Sequence, residues 1–261
     1  MKKFEFHNEA HLGDSVFFVH YLRKLCEKYD DVRIQYYIGK KYFGEIQTQI
    51  NEFSDRIILR PFRERHKDTL GGWAASKYNG RTIGTVGKAG RINLLNERYD
   101  AFFQMVSDHI GLENPIPGKN ATLIDNKLIL ETAHKDLRNF DILLINSKPL
   151  SGQYKYKSGD FNTKIEELKE RFKIITTSKT IFSDIPCTLD YKLNLLQIGN
   201  VSTNVEYIIG IATGPIINCF NIWNIDKIKK WFVLSNRSTY TYNNRIFRKS
   251  SILQLKIEEL N

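Results

Sequence analysis

Residues 4–26 read FEFHNEAHLGDSVFFVHYLRKLC, and this stretch decides the fold class. Phe4, Glu5, Phe6 and His7 alternate as a short strand does. The polar run 8–13 turns the chain, and Asp14 or Ser15 is placed to cap a helix. Val16, Phe17, Val19, Leu22, Leu25 and Cys26 then recur at helical spacing, with His20 and Arg23 beside them. Working outward, residues 32–38 alternate as a second strand, 40–53 read as a short helix and 56–59 as a third strand. Strand, helix, strand, helix, strand is the order of a parallel sheet with crossover helices, so the class is α/β.

The middle is less regular. Residues 69–90 are glycine-rich, and Gly84, Gly87 and Gly90 lack the strand before and the helix after that a dinucleotide fingerprint needs, so they read as a loop. Residues 97–110 form a helix with Tyr99, Phe102, Phe103, Val106 and Ile110 on one face, closed by Gly111. Asn114-Pro115-Ile116-Pro117-Gly118 is the strongest breaker in the chain and opens a linker running to about residue 140. Beyond it the alternation restarts. Strands are expected at 141–145, 172–176, 205–211 and 229–234, with helices at 161–171, from Pro215 and from Ser251; residues 194–198 read as a strand or a short helix. Two successive α/β units, 1–135 and 136–261, fit this better than one continuous sheet.

Composition narrows the class further. The chain has 261 residues, roughly 1.7 domains' worth at ~150 residues each, and 41% hydrophobic residues can form a sizeable core. Lys+Arg 39 against Asp+Glu 29 leaves +10, which favours anionic partners or a lysine-rich solvated surface. No run approaches the ~18 apolar residues of a membrane span, and the start turns polar before an apolar core of useful length. Cys26, Cys187 and Cys219 are odd in number and far apart, without CxxC spacing. A disulfide framework or zinc site is not expected, and a cytoplasmic location is.

Two corners stand where open α/β sheets bind ligands, at the ends of strands. In His11-Leu12-Gly13-Asp14-Ser15 the carboxylate of Asp14 is either a site residue or the helix cap. In Ala212-Thr213-Gly214-Pro215 a hydroxyl and a glycine open a helix, either as an anion site or as an ordinary helix start. A third segment, Tyr154-Lys155-Tyr156-Lys157, interleaves aromatics and lysines, but no nucleic-acid module accompanies it.

His11-Leu12-Gly13-Asp14, followed by a helix carrying Leu22-Arg23, resembles the opening of heptosyltransferase-like glycosyltransferases. Gly210-Ile211-Ala212-Thr213-Gly214-Pro215 looks like the Asp-Ser/Thr-Gly-Pro signature of the same family, and Ile142-Leu143-Leu144-Ile145-Asn146 like the strand that opens its second domain. The resemblance implies the glycosyltransferase B architecture in compact form: two Rossmann-like domains facing a cleft, 1–135 on the acceptor side and 136–261 binding the nucleotide sugar. It implies an inverting, metal-independent transfer of a sugar to a saccharide or glycolipid hydroxyl, with Asp14 as general base. Ser151, Lys155, Thr213 and Gly214 would bind the donor, with Lys148 and Lys157 as substitutes for Lys155, and Gly13 and His11 would line the acceptor side. No cofactor beyond the donor and no nucleic acid is expected; peripheral contact with an anionic membrane at its cytosolic face fits the charge.

Two departures matter. Ala212 stands where the family has Asp, and Ile216, Ile217 and Asn218 where it commonly has His. A non-catalytic relative that binds a nucleotide or sugar is therefore the second expectation, and a basic nucleic-acid-binding protein the third.

Overall fold

Parallel strands carry both halves of the chain. A computed structural model describes residues 1–8, 11–61, 95–132, 137–150, 152, 154–236 and 246–260. It divides into two units, Met1–Leu123 and Ile124–Asn261.

The first unit runs β1 (Lys2–Asn8), α1 (Leu12–Lys28), β2 (Val32–Ile38), α2 (Phe43–Gln49), β3 (Ile57–Pro61) and α3 (Leu95–Ile110). Its sheet has the order β1-β2-β3 with both pairings parallel, Phe4 opposite Ile34 and Ile34 opposite Ile57. The alternation in β2 is real: Val32, Ile34, Tyr36 and Ile38 are buried and the residues between them are not.

Helix α1 is buried on more than one face, which explains its density of aromatic residues. Phe18 meets Phe6 and Tyr36 of the sheet at 5.5 Å between ring centroids and Phe102 of α3 at 5.8 Å. Tyr21 stacks on Phe103 at 4.7 Å, and Phe17 meets Tyr99 at 4.5 Å. Arg23, also buried, donates to the Gln49 carbonyl at 2.6 Å, pairs with Glu52 and lies over the Phe53 ring, so it ties α1 to the end of α2.

The second unit runs α4 (Leu128–Glu131), β4 (Ile142–Ile145), α5 (Ser158–Leu168), β5 (Ile174–Thr176), α6 (Leu195–Ser202), β6 (Tyr207–Ile211), α7 (Gly214–Ile217), β7 (Lys230–Leu234) and β8 (Ile246–Lys249). The five strands are parallel in the order β5-β4-β6-β7-β8. The first strand therefore has its successors on both sides, and the order reverses between β4 and β6. Two elements depart from expectation. β8 pairs with β7 where no strand was expected; its burial is slight and its sequence, Ile246-Phe247-Arg248-Lys249, lacks an apolar run. The end of the chain forms 3-10 turns at Ile252–Gln254 and Ile257–Leu260 rather than a helix. Residues 194–198 resolve as the start of α6, with Asn194 and Gln197 closing a capping box.

Among the described residues no helix is long and apolar enough to cross a membrane. The three cysteines are free and buried. Burial raises the Cys26 thiol to about 11 and that of Cys219 to about 12, so neither is a nucleophile near neutral pH.

Candidate functional site

In the first unit the chain leaves β1 at Asn8 and enters α1 beside the C-terminal edge of the sheet. His11, not Asp14 or Ser15, is the N-cap, with extended backbone and no side-chain capping bond. Leu12 and Gly13 already lie in the helix, so Asp14 is the third helical residue. The plain capping role expected for it is thereby removed. His11 is exposed and Gly13 half-buried.

Asp14 is partly buried, and three neighbours define its chemistry. The Tyr99 hydroxyl, 85 residues away on α3, donates to its Oδ1 at 2.8 Å. His11 and the backbone N–H groups of His11 and Asp14 also favour the charged carboxylate. Burial opposes them and is the largest effect, so the carboxyl lies above the ordinary aspartate value. Tyr36 of β2 is fully buried, and its phenol is raised by burial and additionally by the Asp14 charge. A raised carboxylate is a stronger base, provided that it stays ionised at the working pH.

That shift carries a stability signature. The folded state holds the Asp14 proton more tightly than the unfolded chain. This contribution is therefore fully present below the unfolded value of 3.8 and is lost as pH rises through the folded value. The melting-temperature difference between wild type and Asp14→Asn should fall from acid towards neutral pH and then level off. Thermal melts of both proteins across pH check this; a difference that grows with pH contradicts it.

In the second unit the loops after β4 and β6 emerge side by side, because Ile145 pairs with Gly210. This is the point where the strand order reverses, the usual binding crevice of an open α/β sheet. Asn146, buried, accepts from the N–H groups of Thr177 at 3.2 Å and Ser178 at 2.8 Å, and returns a bond to the Ser178 carbonyl at 3.0 Å. It thus ties the end of β5 to the end of β4. Ser147 bonds the Thr177 hydroxyl at 2.9 Å and accepts from Ser178 at 3.2 Å. Three hydroxyls therefore line one strand-end corner. None was singled out from the sequence as a ligand group; the available signal was polar residues directly following two apolar strands.

Thr213 is the N-cap of α7, half-buried, with its hydroxyl donating to the Ile211 carbonyl at 3.2 Å. To donate to a ligand it must give up that bond. Gly214 opens α7, and Pro215 follows within its first turn. Helix α7 has four residues, so the dipole expected at its start is slight. Lys148, Lys155 and Lys157 are all exposed on the β4–α5 connection, and Ser151 lies outside the described residues.

The departures also find their places. Ala212 and Ile217 are 6% exposed, and Ile216 and Asn218 are fully buried, so all four positions are packed inside the second unit. Glu206 precedes β6, roughly 16 Å along the strand from its other end, and pairs with Lys229. It belongs to the opposite edge of the sheet from Thr213. The Tyr154 ring is buried with its hydroxyl accepting from the Ile252 N–H at 3.0 Å, and Tyr156 stacks on Phe161. The glycine-rich stretch 69–90, together with Arg63, Arg65, His66, Lys67, Arg237 and Arg245, lies outside the described residues. Among the described residues no group of three or more His, Cys, Asp or Glu side chains could hold a metal ion.

No protein-family model matches the chain, and no curated protein matches it. Solved structures do. A glycosyl transferase of family 9 from Veillonella parvula superposes with a TM-score of 0.55 at 11% identity, over 95% of this chain and 85% of that one. The E. coli heptosyltransferase WaaC, solved with ADP-2-deoxy-2-fluoro heptose, gives 0.59 at 9% identity over 95% and 93%. The dodecameric, iron-containing heptosyltransferase TibC, solved with ADP-D-beta-D-heptose, gives 0.53 at 10% identity over 94% of this chain and 61% of that one. The fold of this chain is the glycosyltransferase B fold of these enzymes, in a compact version.

Proposed function

We propose that the chain is an inverting glycosyltransferase that takes a sugar from a nucleotide-sugar donor. Asp14 of the first unit serves as the base, and the strand-end corner of the second unit holds the diphosphate. The observation that carries this reading is the Asp14 carboxylate itself. It stands at the first turn of α1, made more basic by burial and held by Tyr99, in a fold shared with sugar-transferring enzymes.

The chemistry follows from those positions. The acceptor oxygen forms a bond to the anomeric carbon while Asp14 takes the hydroxyl proton. The bond from that carbon to the diphosphate breaks on the opposite face, and its electron pair leaves with the diphosphate, so configuration inverts. Negative charge grows on the leaving group, and donors placed there beforehand favour the transition state over the ground state. Ser147, Ser178 and Thr213 supply hydroxyls; Gly214 permits close backbone approach; Lys155, with Lys148 or Lys157, supplies cationic charge; Ser151 belongs to the same connection. This reading assigns no role to a metal ion. The acceptor is a saccharide or glycolipid, with His11 and Gly13 beside it, and the +10 net charge suits work at an anionic membrane face of the cytoplasm.

Binding without turnover is the second reading, favoured by Ala212 in place of the family's carboxylate. Both readings require the second unit to hold a nucleotide, and a thermal-shift panel of ADP, UDP, GDP and CDP with their sugar conjugates tests that. A ligand at 100 times its dissociation constant stabilises by ~2.7 kcal/mol, and each kcal/mol raises the melting temperature of a chain this size by roughly 2–4 °C. One nucleotide and its conjugates should stand out from the panel. A flat panel removes both readings.

A further inference from the structure

We propose that Tyr99 is the positioning residue of the base, a role that rests on Asp14 being that base. The pair joins two helices that are distant in sequence, and only the folded chain brings them together. Tyr99 has no freedom to do otherwise: its ring is 2% exposed, lies 4.5 Å from Phe17 and 5.7 Å from Phe103, and presents its hydroxyl to Asp14 Oδ1 at 2.8 Å. The carboxylate by contrast sits in the first turn of a helix, on a side chain that turns about two torsions. A hydrogen bond from a ring locked by packing restricts both, and it does so most strongly when Asp14 is charged.

The bond has two consequences for a base. It sets the direction in which the carboxylate faces an acceptor hydroxyl, and displacement by ~1 Å is enough to cost ~10²-fold in rate. It also opposes the effect of burial, since a donated hydrogen bond stabilises the charged form of the carboxyl. The described titratable groups around Asp14 are His11 at its own helix start, Tyr36 from β2 and Tyr99 from α3. Of the two phenols, Tyr99 lowers the Asp14 carboxyl by its hydrogen bond, whereas Tyr36 is itself raised by the Asp14 charge.

Tyr21 provides a matched control. It is a second buried phenol joining α1 to α3, through Ser107 at 2.8 Å, and it stacks on Phe103 as Tyr99 packs against it. If Tyr99 were only a packing residue, Tyr99→Phe and Tyr21→Phe would behave alike.

The test has two readouts. The first is the carboxyl carbon-13 titration of aspartate-labelled free protein, with the Asp14 signal assigned by its loss in Asp14→Asn. Asp14 should titrate above the ordinary aspartate range in wild type and in Tyr21→Phe, and higher still in Tyr99→Phe. The second is turnover of whichever nucleotide sugar the thermal-shift panel selects. Tyr99→Phe should lower kcat about tenfold or more with KM unchanged, and move the acidic limb of the pH profile to higher pH; Tyr21→Phe should do neither. If Tyr99→Phe titrates and turns over like wild type while Asp14→Asn is inactive, the role of Tyr99 is overturned and the base assignment stands. If Asp14→Asn keeps its activity, the base assignment falls and takes this role with it, whatever the titration shows.

Discussion

Asp14→Asn should reduce sugar transfer by ~10²–10⁴-fold and leave nucleotide affinity at the wild-type level. The size is that of removing a general base from a reaction whose acceptor proton becomes acidic only as the new bond forms. Binding should survive because the variant is nearly isosteric. Its amide oxygen still accepts from Tyr99, and His11 rather than Asp14 caps α1, so the helix start is not dismantled. Nucleotide binding is assigned to the other unit, at residues whose hydrogen bonds do not include Asp14. Turnover of the selected donor and calorimetric titration of its nucleoside diphosphate, on both proteins, separate the two effects. Turnover within tenfold of wild type would place the base elsewhere. A wild type that binds nucleotide tightly but transfers sugar to no acceptor and to no water molecule would favour the non-catalytic reading.

The α/β class was legible because periodicity reports burial. Residues 32–38 alternate, and their inward set is the one the sheet buries. The apolar strands Ile142–Ile145 and Tyr207–Ile211 read as fully buried and are. β8 was not legible, because an edge strand with two exposed residues carries no apolar signature. The candidate site divides in the same way. Asp14 and Thr213 were visible as polar residues at strand-to-helix corners, a local pattern. Tyr99 was visible only as one aromatic among several on a helical face. Nothing in residues 97–110 says that its hydroxyl meets a carboxylate 85 positions earlier, because that contact belongs to the packing of α1 on α3. The hydroxyl corner of Ser147, Thr177 and Ser178 escaped for the same reason: it exists only once β4 and β5 pair and Asn146 bridges their ends.

Gly210→Ala should destabilise the protein by ~1–3 kcal/mol, and Gly210→Val by more. Strand propensity argues the opposite sign, since replacing glycine within a strand usually gains ~0.5–1 kcal/mol. The contact decides between them. A Cβ on Gly210 would lie 2.6 Å from the Cβ of Ile145, with the Cγ1 and Cδ1 atoms of the same residue at 3.2 and 3.1 Å. The nearest atom is attached directly to the partner backbone, so no rotamer change relieves the overlap, and β4 and β6 must separate or shift. Those are the two strands whose ends carry Asn146 and Ser147 on one side and Thr213 on the other. A strain at this pair should therefore reach ligand binding as well as stability. Urea denaturation of Gly210→Ala should show a lower midpoint, and the nucleotide that stabilises wild type should stabilise the variant less at the same concentration. A midpoint above that of wild type would mean that the strands accommodate the methyl group. The close pairing of Gly210 with Ile145 would then not be what holds the two loops together at the crevice.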